Sequence, residues 1–311
     1  MTPFQISKKE MSSADSRSIS RKPSFKNLLG KLFHKNASCK NLSIHKSLGS
    51  GATAVVHLAD GNQCKYALKQ FKNADNKETI KALTAEFCIS SSLNHEHIVK
   101  VIDLVFDNGW WMILEYCNGG DLFTHIQDGL STTRTNELFR QIMDGVTYLH
   151  SVGVAHRDIK PENILLTAEK KIKICDFGAA VVFKSVFEPE EHMAEGLHGS
   201  EPYMAPEQWN KKEYKACPVD IWMCGIVYCV MLRKKVLWRR ADADDVNYKE
   251  YVIEKRNWVD FSQLTDTAIT LIIQMLDLEA SKRLTAQDTL NYITEHLISP
   301  SVEDTTKELI N

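Results

Sequence analysis

Residues 156–163, with the sequence HRDIKPEN, constrain this chain more than any other segment. They follow the stretch ELFRQIMDGVTYLH, whose apolar residues recur every three or four positions and predict a helix. Two short apolar runs, ILL and KIKIC, come next and predict a hairpin, which Asp176, Phe177 and Gly178 follow. Polar residues on loops that rigid elements hold in place are typical of functional sites. We therefore expect both loops to carry function.

The polar residues of these two loops match the requirements of phosphoryl transfer. Asp158 has the chemistry to accept a proton or orient a hydroxyl, and Lys160 to neutralise a transferring phosphoryl group. Asn163 and Asp176 offer the hard oxygen ligands that Mg²⁺ prefers. Each residue singly is interpreted as an ordinary polar loop residue. Their joint spacing, with Ala-Pro-Glu at 205–207, favours the phosphoryl-transfer interpretation.

Strand-like runs dominate the part of the chain that precedes these loops: NLSIHKSLGSGATAVVHLADG, KYALKQF and WWMILEY. Gly49, Ser50 and Gly51 lie between two runs, where missing Cβ atoms let backbone N–H groups approach phosphates. Alone, a GxG between strands is more often a simple turn. Neither a Walker lysine nor a following helix is present, so P-loop and Rossmann sites are poor interpretations.

Lys69 lies in an otherwise apolar strand, where its charge needs a partner or an anionic ligand. The expected partner is Glu86, on a helix predicted from NKETIKALTAEFCISSSL and capped by Asn76. An edge-strand lysine and an exposed salt bridge are the alternatives. After residue 121 the apolar spacing is helical, and DTAITLIIQML repeats it near the end, so the second half is predicted to be mostly helical.

Composition fits one large or two small globular domains, with 311 residues of which 43% are hydrophobic and 25% charged. The longest uncharged apolar stretch, 221–232, is shorter than the about 20 residues that cross a bilayer. The N-terminus lacks the apolar run of a signal peptide. Eight scattered cysteines without a CxxC pair favour buried thiols over disulfides or zinc ligands. We expect a cytoplasmic protein.

Residues 1–43 form a basic, serine-rich tail on an acidic remainder. The tail carries nine Lys or Arg and two Asp or Glu, whereas the whole chain has a net charge of −2, which argues against a nucleic-acid partner. Within it, residues 25–33 place apolar side chains at helical spacing beside lysines. A basic amphipathic helix on a membrane surface is one interpretation. A solvated, disordered tail is the other, which we favour.

Together these motifs resemble the eukaryotic protein kinases, over about residues 44–298. The resemblance implies an α+β, two-lobed fold, with an antiparallel sheet at about 44–116, a helical lobe at about 117–298, and tails at 1–43 and 299–311. ATP with Mg²⁺ is expected between the lobes. KPEN is typical of Ser/Thr specificity, so proteins with Ser or Thr acceptors are the expected substrates.

The resemblance also implies a role for individual residues. Asp158 is expected to be the catalytic base, assisted by Lys160 and Lys69, while Asn163 and Asp176 bind the metal ions. The residues expected to bind ATP are Leu48, Gly49, Ser50, Gly51, Val56, Ala67, Lys69, Glu86, Glu115, Cys117 and Asp121. The activation segment is expected to contain Ser185, Ser200 and Glu207, of which the last pairs with Arg283, and Leu114 is the expected gatekeeper.

Four segments carry a narrower resemblance: EFCISSSLNHEHIVKVIDL, EYCNGGDLF, GSEPYMAPE and PVDIW are similar to fungal halotolerance and nitrogen-permease-reactivator Ser/Thr kinases. That family acts in cation homeostasis and in control of plasma-membrane nutrient transporters. Two other classes remain as alternatives. A pseudokinase scaffold is disfavoured because the lysine and both aspartates are retained, and a small-molecule kinase because residues 205–207 are present.

Regulation and substrate choice are the least constrained features. In kinases of this type the arginine before the catalytic aspartate, here Arg157, commonly pairs with a phosphate on the activation segment. Ser185 is the candidate phosphosite, but we expect Glu188, Glu190 and Glu191 to supply part of that charge without modification; a solvated acidic turn is the alternative. Asp121 and Glu162 stand where many basophilic kinases carry carboxylates, a resemblance that implies a preference for Arg or Lys before the acceptor. Arg21 and Lys22 fit that pattern, so Ser24 is a candidate autophosphorylation site.

Overall fold

The computed structural model describes residues 42–298, except 62, 75, 186 and 189. The basic tail, its apolar segment 25–33 and Ser24 lie outside the described residues, as do residues 299–311. Within the described part, residues 43–115 are mostly strands and residues 122–296 are mostly helices. The α+β, two-lobed fold implied by the kinase resemblance is therefore confirmed.

Five antiparallel strands form the sheet of the small lobe, in the order β1-β2-β3-β5-β4. The strands are β1 (Ser43–Ser50), β2 (Ala54–Gly61), β3 (Cys64–Phe71), β4 (Val101–Phe106) and β5 (Trp110–Glu115). Helix α1 (Lys77–Ser92) connects β3 to β4 and begins where the Asn76 side chain accepts a hydrogen bond from the Thr79 backbone N–H at 2.8 Å. Ile80 and Leu83 bury its apolar face, as the sequence spacing predicts.

The large lobe consists of helices around a continuous apolar core. Its helices are α2 (Leu122–Asp128), α3 (Thr132–Ser151), α4 (Pro206–Asn210), α5 (Ala216–Arg233), α6 (Val246–Glu254), α7 (Asp266–Met275) and α8 (Ala286–His296). The predicted apolar face of α3, formed by Leu138, Ile142, Val146 and Leu149, is fully buried. Two-stranded pairs join β6 (Val154–Ala155) to β9 (Val181–Val182), the predicted hairpin β7 (Ile164–Leu166) to β8 (Ile172–Ile174), and β10 (Ala194–Glu195) to β11 (Glu213–Tyr214).

Helix α5 is the central helix of the large lobe. By length and composition alone α5 is apolar enough to cross a membrane, with a mean hydropathy of 1.5 over 18 residues. The shorter uncharged stretch 221–232 did not indicate this, because it leaves out both ends of the helix. In the structure 78% of that window is buried, and Trp222, Ile226 and Tyr228 pack inside the core. Its high hydropathy is that of a helix buried in the core of the large lobe.

Three features of the fold differ from the sequence-based expectations. Strand β4 was not among the predicted strands, because only Leu104 and Val105 of its six residues are buried and its apolar pattern is irregular. The ordered sheet begins at Ser43, inside the segment assigned to the tail. The expectation of buried thiols is wrong for Cys64 and Cys88, which are exposed, and Cys39 lies outside the described residues.

Candidate active site

A cavity of about 570 Å³ lies where β1, β2, β3 and β5 face the loops that follow α3 and β8. Every residue predicted to bind ATP lines it: Leu48, Gly49, Ser50, Gly51, Val56, Ala67, Lys69, Glu86, Glu115, Cys117 and Asp121. Leu114, Asn163 and Asp176 line it as well. The two lobes thus bring the phosphate-loop glycines, the strand lysine and the expected metal ligands to one cavity.

Lys69 holds the two acidic residues of this cavity together. Its Nζ donates to Glu86 Oε1 at 2.6 Å and to Asp176 Oδ1 at 2.7 Å. Strand β3 fixes Lys69 through pairing with Val56 on β2 and Met112 on β5, and α1 supplies Glu86. The sequence thus yields the expected Lys69–Glu86 pair, and it is buried.

Electrostatics keep this lysine charged. Burial alone opposes the charge on Lys69, but the carboxylates of Glu86 and Asp176 outweigh it and raise the pKa of Lys69 above its usual range. Burial likewise opposes the charge on Asp176, and Lys69 overcomes it and lowers the pKa of Asp176. Asp176 is therefore an anion at neutral pH, as a metal ligand must be.

Backbone geometry brings Asp176 to this position. Arg157 and Asp176 both have left-handed φ values, 62° and 65°, which cost about 1–3 kcal/mol each outside glycine. The buried Asp220 of α5 holds the first loop, because its carboxylate accepts from the backbone N–H groups of His156 and Arg157 at 2.8 and 2.7 Å. His156 Nε2 in turn donates to the Cys175 carbonyl at 3.0 Å, next to Asp176. Asp220 and His156 thus fix both loops.

Asp158 lies among groups suited to handling a substrate hydroxyl. Its Oδ2 accepts from Lys160 Nζ at 2.8 Å and from Asn163 Nδ2 at 3.0 Å, and its Oδ1 accepts from the Ser200 backbone N–H at 3.1 Å. Lys160 Nζ also donates to Ser200 Oγ at 2.9 Å. Because Asn163 uses its Nδ2 toward Asp158, its amide oxygen is left for another ligand.

The residues fit the phosphates and metal ion that the resemblance implies. Gly49 lines the cavity, yet a Cβ built on it would meet no protein atom within 4 Å. The space beside Gly49 is therefore open. Lys72 holds the loop by donating to the Gly51 carbonyl at 2.7 Å and to Ser50 Oγ at 3.1 Å. The oxygens of Asn163 and Asp176 form the hard donor set that Mg²⁺ prefers.

The end of β5 and the segment that follows it line the cavity between the lobes. The Glu115 side chain pairs with Lys173 Nζ at 2.8 Å and accepts from the Lys100 backbone N–H at 2.6 Å. Burial, with the Glu115 carboxylate, raises the pKa of the Cys117 thiol to about 11, so this thiol stays protonated. Asp121 caps α2 by accepting from the Thr124 backbone N–H at 2.8 Å.

The expectation that Glu188, Glu190 and Glu191 supply negative charge to Arg157 is wrong. The Arg157 guanidinium donates to the carbonyls of Ala179 and Glu195 at 2.8 and 3.2 Å and reaches the Tyr214 hydroxyl at 3.4 Å. Two of the three acids have other partners: the Glu188 carboxylate lies 2.6 Å from His192 Nε2, and the Glu191 carboxylate lies 3.4 Å from Lys215 Nζ. Arg157 is satisfied by carbonyl and hydroxyl oxygens, so the turn does not serve as a phosphate substitute.

The three predicted activation-segment residues, Ser185, Ser200 and Glu207, make contacts in different parts of the large lobe. The Ser185 hydroxyl accepts from the Phe187 backbone N–H at 3.2 Å, in a local turn. Ser200 contacts Lys160 through its hydroxyl and Asp158 through its backbone N–H, as described above. Glu207 forms a buried two-point pair with Arg283, at 2.6 and 2.8 Å, which anchors the end of the segment to the large lobe.

Several cavity residues were not predicted as site residues. They include Val99, Val101, Met112, Tyr116, Asn118, Leu165 and Phe177. Most are apolar side chains that read in sequence as ordinary core residues. Ala54 is buried in β2, and the Ser90 hydroxyl donates to the Glu86 carbonyl at 2.6 Å.

Comparison with known proteins agrees with this geometry. Residues 42–293 match the family described as protein kinase domain. Serine/threonine-protein kinase hal4 of Schizosaccharomyces pombe is 41% identical over 225 residues, which cover 68% of this chain and 35% of that protein. Serine/threonine-protein kinase HAL4/SAT4 of Saccharomyces cerevisiae is 39% identical over 265 residues, covering 78% and 44%.

A third relative is the nitrogen permease reactivator protein of Saccharomyces cerevisiae, 37% identical over 210 residues, which cover 65% of this chain and 26% of that protein. The chain thus spans less than half the length of each of these three relatives. Residues 42–293, which match the family, include every residue that lines the cavity.

Proposed function

This chain belongs to the protein kinase family, and we propose that it transfers the γ-phosphoryl group of ATP to serine and threonine hydroxyls of proteins. One observation carries the proposal: Lys69 contacts Glu86 and Asp176 at the same time, at 2.6 and 2.7 Å. In kinases, phosphoryl transfer requires both the lysine–glutamate pair and the metal-binding aspartate in place. A scaffold that had lost catalysis would not need to keep this arrangement.

The proposed reaction uses three groups of the chain. The substrate hydroxyl lies at Asp158, which takes its proton as the hydroxyl oxygen bonds to the γ-phosphorus and the bond to the β-phosphate oxygen breaks. Lys160, 2.8 Å from Asp158, neutralises charge on the transferring group, and Lys69 holds the phosphates of the nucleotide. Mg²⁺ held by Asn163 and Asp176 would supply positive charge beside the phosphate oxygens.

Two aspartate variants test this assignment separately. Asp158→Asn should bind Mg²⁺ and ATP like the wild type but lose about 10² to 10⁴ in transfer rate. Asp176→Asn should lose the Mg²⁺ dependence of ATP binding as well. Glu169→Gln, an exposed acid on the β7–β8 turn, is the matched control and should change neither quantity. If folded Asp176→Asn transferred phosphate at the wild-type rate, the metal assignment would be wrong.

The physiological substrates are proposed from the relatives. One relative is named for reactivating a nitrogen permease, so we propose that this chain phosphorylates proteins that control membrane transport. Leu114 lines the cavity, and Leu114→Gly should admit a bulky ATP-site inhibitor that the wild type excludes. Phosphoproteomics within minutes of inhibition should then show loss of phosphate on transporters or their regulators. Loss confined to unrelated proteins would contradict the proposal.

Localisation is also a proposal. The charge of the basic tail supports a cytoplasmic protein that contacts the inner membrane surface peripherally. Binding of the full chain to vesicles containing anionic lipid, and its loss at high salt, would test it.

A further inference from the structure

A second charged cluster lies away from the ATP cavity, where the loop between α1 and β4 contacts α3. It contains Glu96, His97 and Asp144, and one ligand atom of each lies within 4.8 Å of the others. We propose that these three side chains bind a divalent transition-metal ion with the ligand preferences of zinc.

His97 supplies the first argument. Its side chain is only 4% exposed, and its Nδ1 lies 3.2 Å from the Ile172 carbonyl oxygen. A carbonyl oxygen only accepts, so Nδ1 carries the hydrogen, and in the neutral ring Nε2 presents a lone pair. A backbone carbonyl on one imidazole nitrogen is the arrangement that orients metal-binding histidines.

The surroundings of Nε2 supply the second argument. Nε2 lies 3.6 Å from Asp144 Oδ2 and 4.0 Å from Glu96 Oε1, too far for hydrogen bonds. Two ligands on one tetrahedral zinc ion, each about 2.1 Å from the metal, are roughly 3.4 Å apart. A nitrogen lone pair facing two carboxylates is repulsive without a cation between them, so the spacing and the charge both favour a shared ion.

Neighbouring groups prepare the carboxylates for this role. Lys171 Nζ binds Glu96 Oε2 at 3.0 Å and leaves Oε1 toward His97. His95 Nδ1 accepts from the His97 backbone N–H at 3.2 Å, so its Nε2 carries the hydrogen and directs it toward Asp144 Oδ2 at 3.8 Å. Lys171 thus orients Glu96, whereas the His95 N–H faces Asp144 from beyond hydrogen-bond distance, and neither residue joins the ligand set.

The loop itself is held rigidly, which favours a preformed site. The Ile174 backbone N–H donates to the His97 carbonyl at 2.8 Å, and the Val99 backbone N–H donates to the Ile174 carbonyl at 2.9 Å. His97 therefore cannot swing away without breaking the contact of the loop with β8. A bound ion would tie this loop, and with it the end of α1, to helix α3.

Zinc titration of the full chain tests the proposal. Metal is first removed with a chelator, and Mg²⁺ with a non-hydrolysable ATP analogue is added to occupy the active site. Calorimetry should then show one Zn²⁺ per chain whose affinity falls at least tenfold in Glu96→Gln and in Asp144→Asn. Glu137→Gln, which changes another acid of α3 outside the cluster, is the matched control and should bind like the wild type.

Two further measurements complete the test. His97→Asn keeps a donor for the Ile172 carbonyl but lacks Nε2, and it should lose the site. Zn²⁺ should raise the unfolding temperature of the wild type but not of Glu96→Gln, whose exposed side chain does not threaten the fold. The proposal is overturned if all variants bind Zn²⁺ equally, or if ¹⁵N NMR shows His97 doubly protonated in the zinc-treated protein, as an imidazolium ion pair would be.

Discussion

Lys69 Nζ lies 2.6 Å from Glu86 Oε1, and both side chains are buried. The contact links β3 of the sheet to α1 and sets the position of the lysine that meets the nucleotide. Because the same Nζ reaches Asp176 at 2.7 Å, the structure holds three parts of the catalytic apparatus in register. Phosphoryl transfer in kinases requires this lysine–glutamate pair and this aspartate in place.

Glu86→Gln should therefore weaken catalysis without abolishing the fold. The amide still accepts a hydrogen bond from Lys69 but removes the charge that fixes it, so we expect kcat to fall about 10- to 100-fold and the KM for ATP to rise. Steady-state kinetics with a peptide substrate measure both. Glu78→Gln, at the exposed start of the same helix, is the control. Unchanged kinetics in Glu86→Gln would contradict the role of the pair.

Activity should not require phosphorylation of the activation segment. Arg157 already has carbonyl and hydroxyl partners, so phosphatase-treated protein and Ser185→Ala should both keep most of their kcat/KM. Changing Glu188, Glu190 and Glu191 together to Gln should also leave activity within about twofold, because these acids do not serve Arg157. If Ser185→Ala were inactive, or if the triple variant lost most of its activity, negative charge on this segment would be needed for activity and the prediction would be wrong.

Tyr214 provides the contrast for that experiment, since its hydroxyl donates to the Gly196 carbonyl at 2.8 Å and contacts Arg157. Tyr214→Phe should lower activity more than the triple Gln variant does.

Acidic pH should destabilise the segment around His198. Burial, and then the nearby charge of Arg157, lower the pKa of His198 below its usual value of about 6.5. A folded-state pKa below the unfolded one means that the unfolded chain binds the proton more readily, so this contribution is present above about pH 6.5 and is lost as pH falls. Urea unfolding should show that the free energy of unfolding of the wild type falls between pH 7.5 and 5.5. The decrease should be smaller in His198→Asn. An identical loss in both proteins would exclude His198 as the cause.

Substrate selection should favour basic residues before the acceptor. Asp121 and Glu162 both line the cavity, and Glu162 is exposed there. A charge-assisted hydrogen bond to a substrate arginine is worth about 1.5–3 kcal/mol, which is roughly tenfold or more in kcat/KM. An oriented peptide library should select Arg or Lys, and Glu162→Gln should weaken that selection. Acidic or proline-directed selection would refute it.

The sequence predicted the cavity residues well because the charged residues that could handle phosphate and metal form recognisable motifs. Lys69, Asp158 and Asp176 occur at motif spacings that chance does not produce, and helices such as α3 follow from apolar periodicity. The partners of Arg157 could not be predicted, since two of them are backbone carbonyls that carry no sequence signal. The cluster of Glu96, His97 and Asp144 could not be predicted for a related reason: Asp144 lies 48 positions after Glu96 and meets it only through tertiary packing.

Phosphoryl transfer itself is the most direct test of the central claim. Purified full chain with Mg²⁺ and labelled ATP is offered peptides that differ only in carrying serine, threonine or tyrosine as acceptor, beside Asp158→Asn as the matched inactive protein. We expect label on serine and threonine, little on tyrosine, and a loss of about 10² to 10⁴ in rate for Asp158→Asn. If the wild type binds ATP yet transfers no more phosphate than folded Asp158→Asn, the chain is a pseudokinase and the catalytic account is wrong.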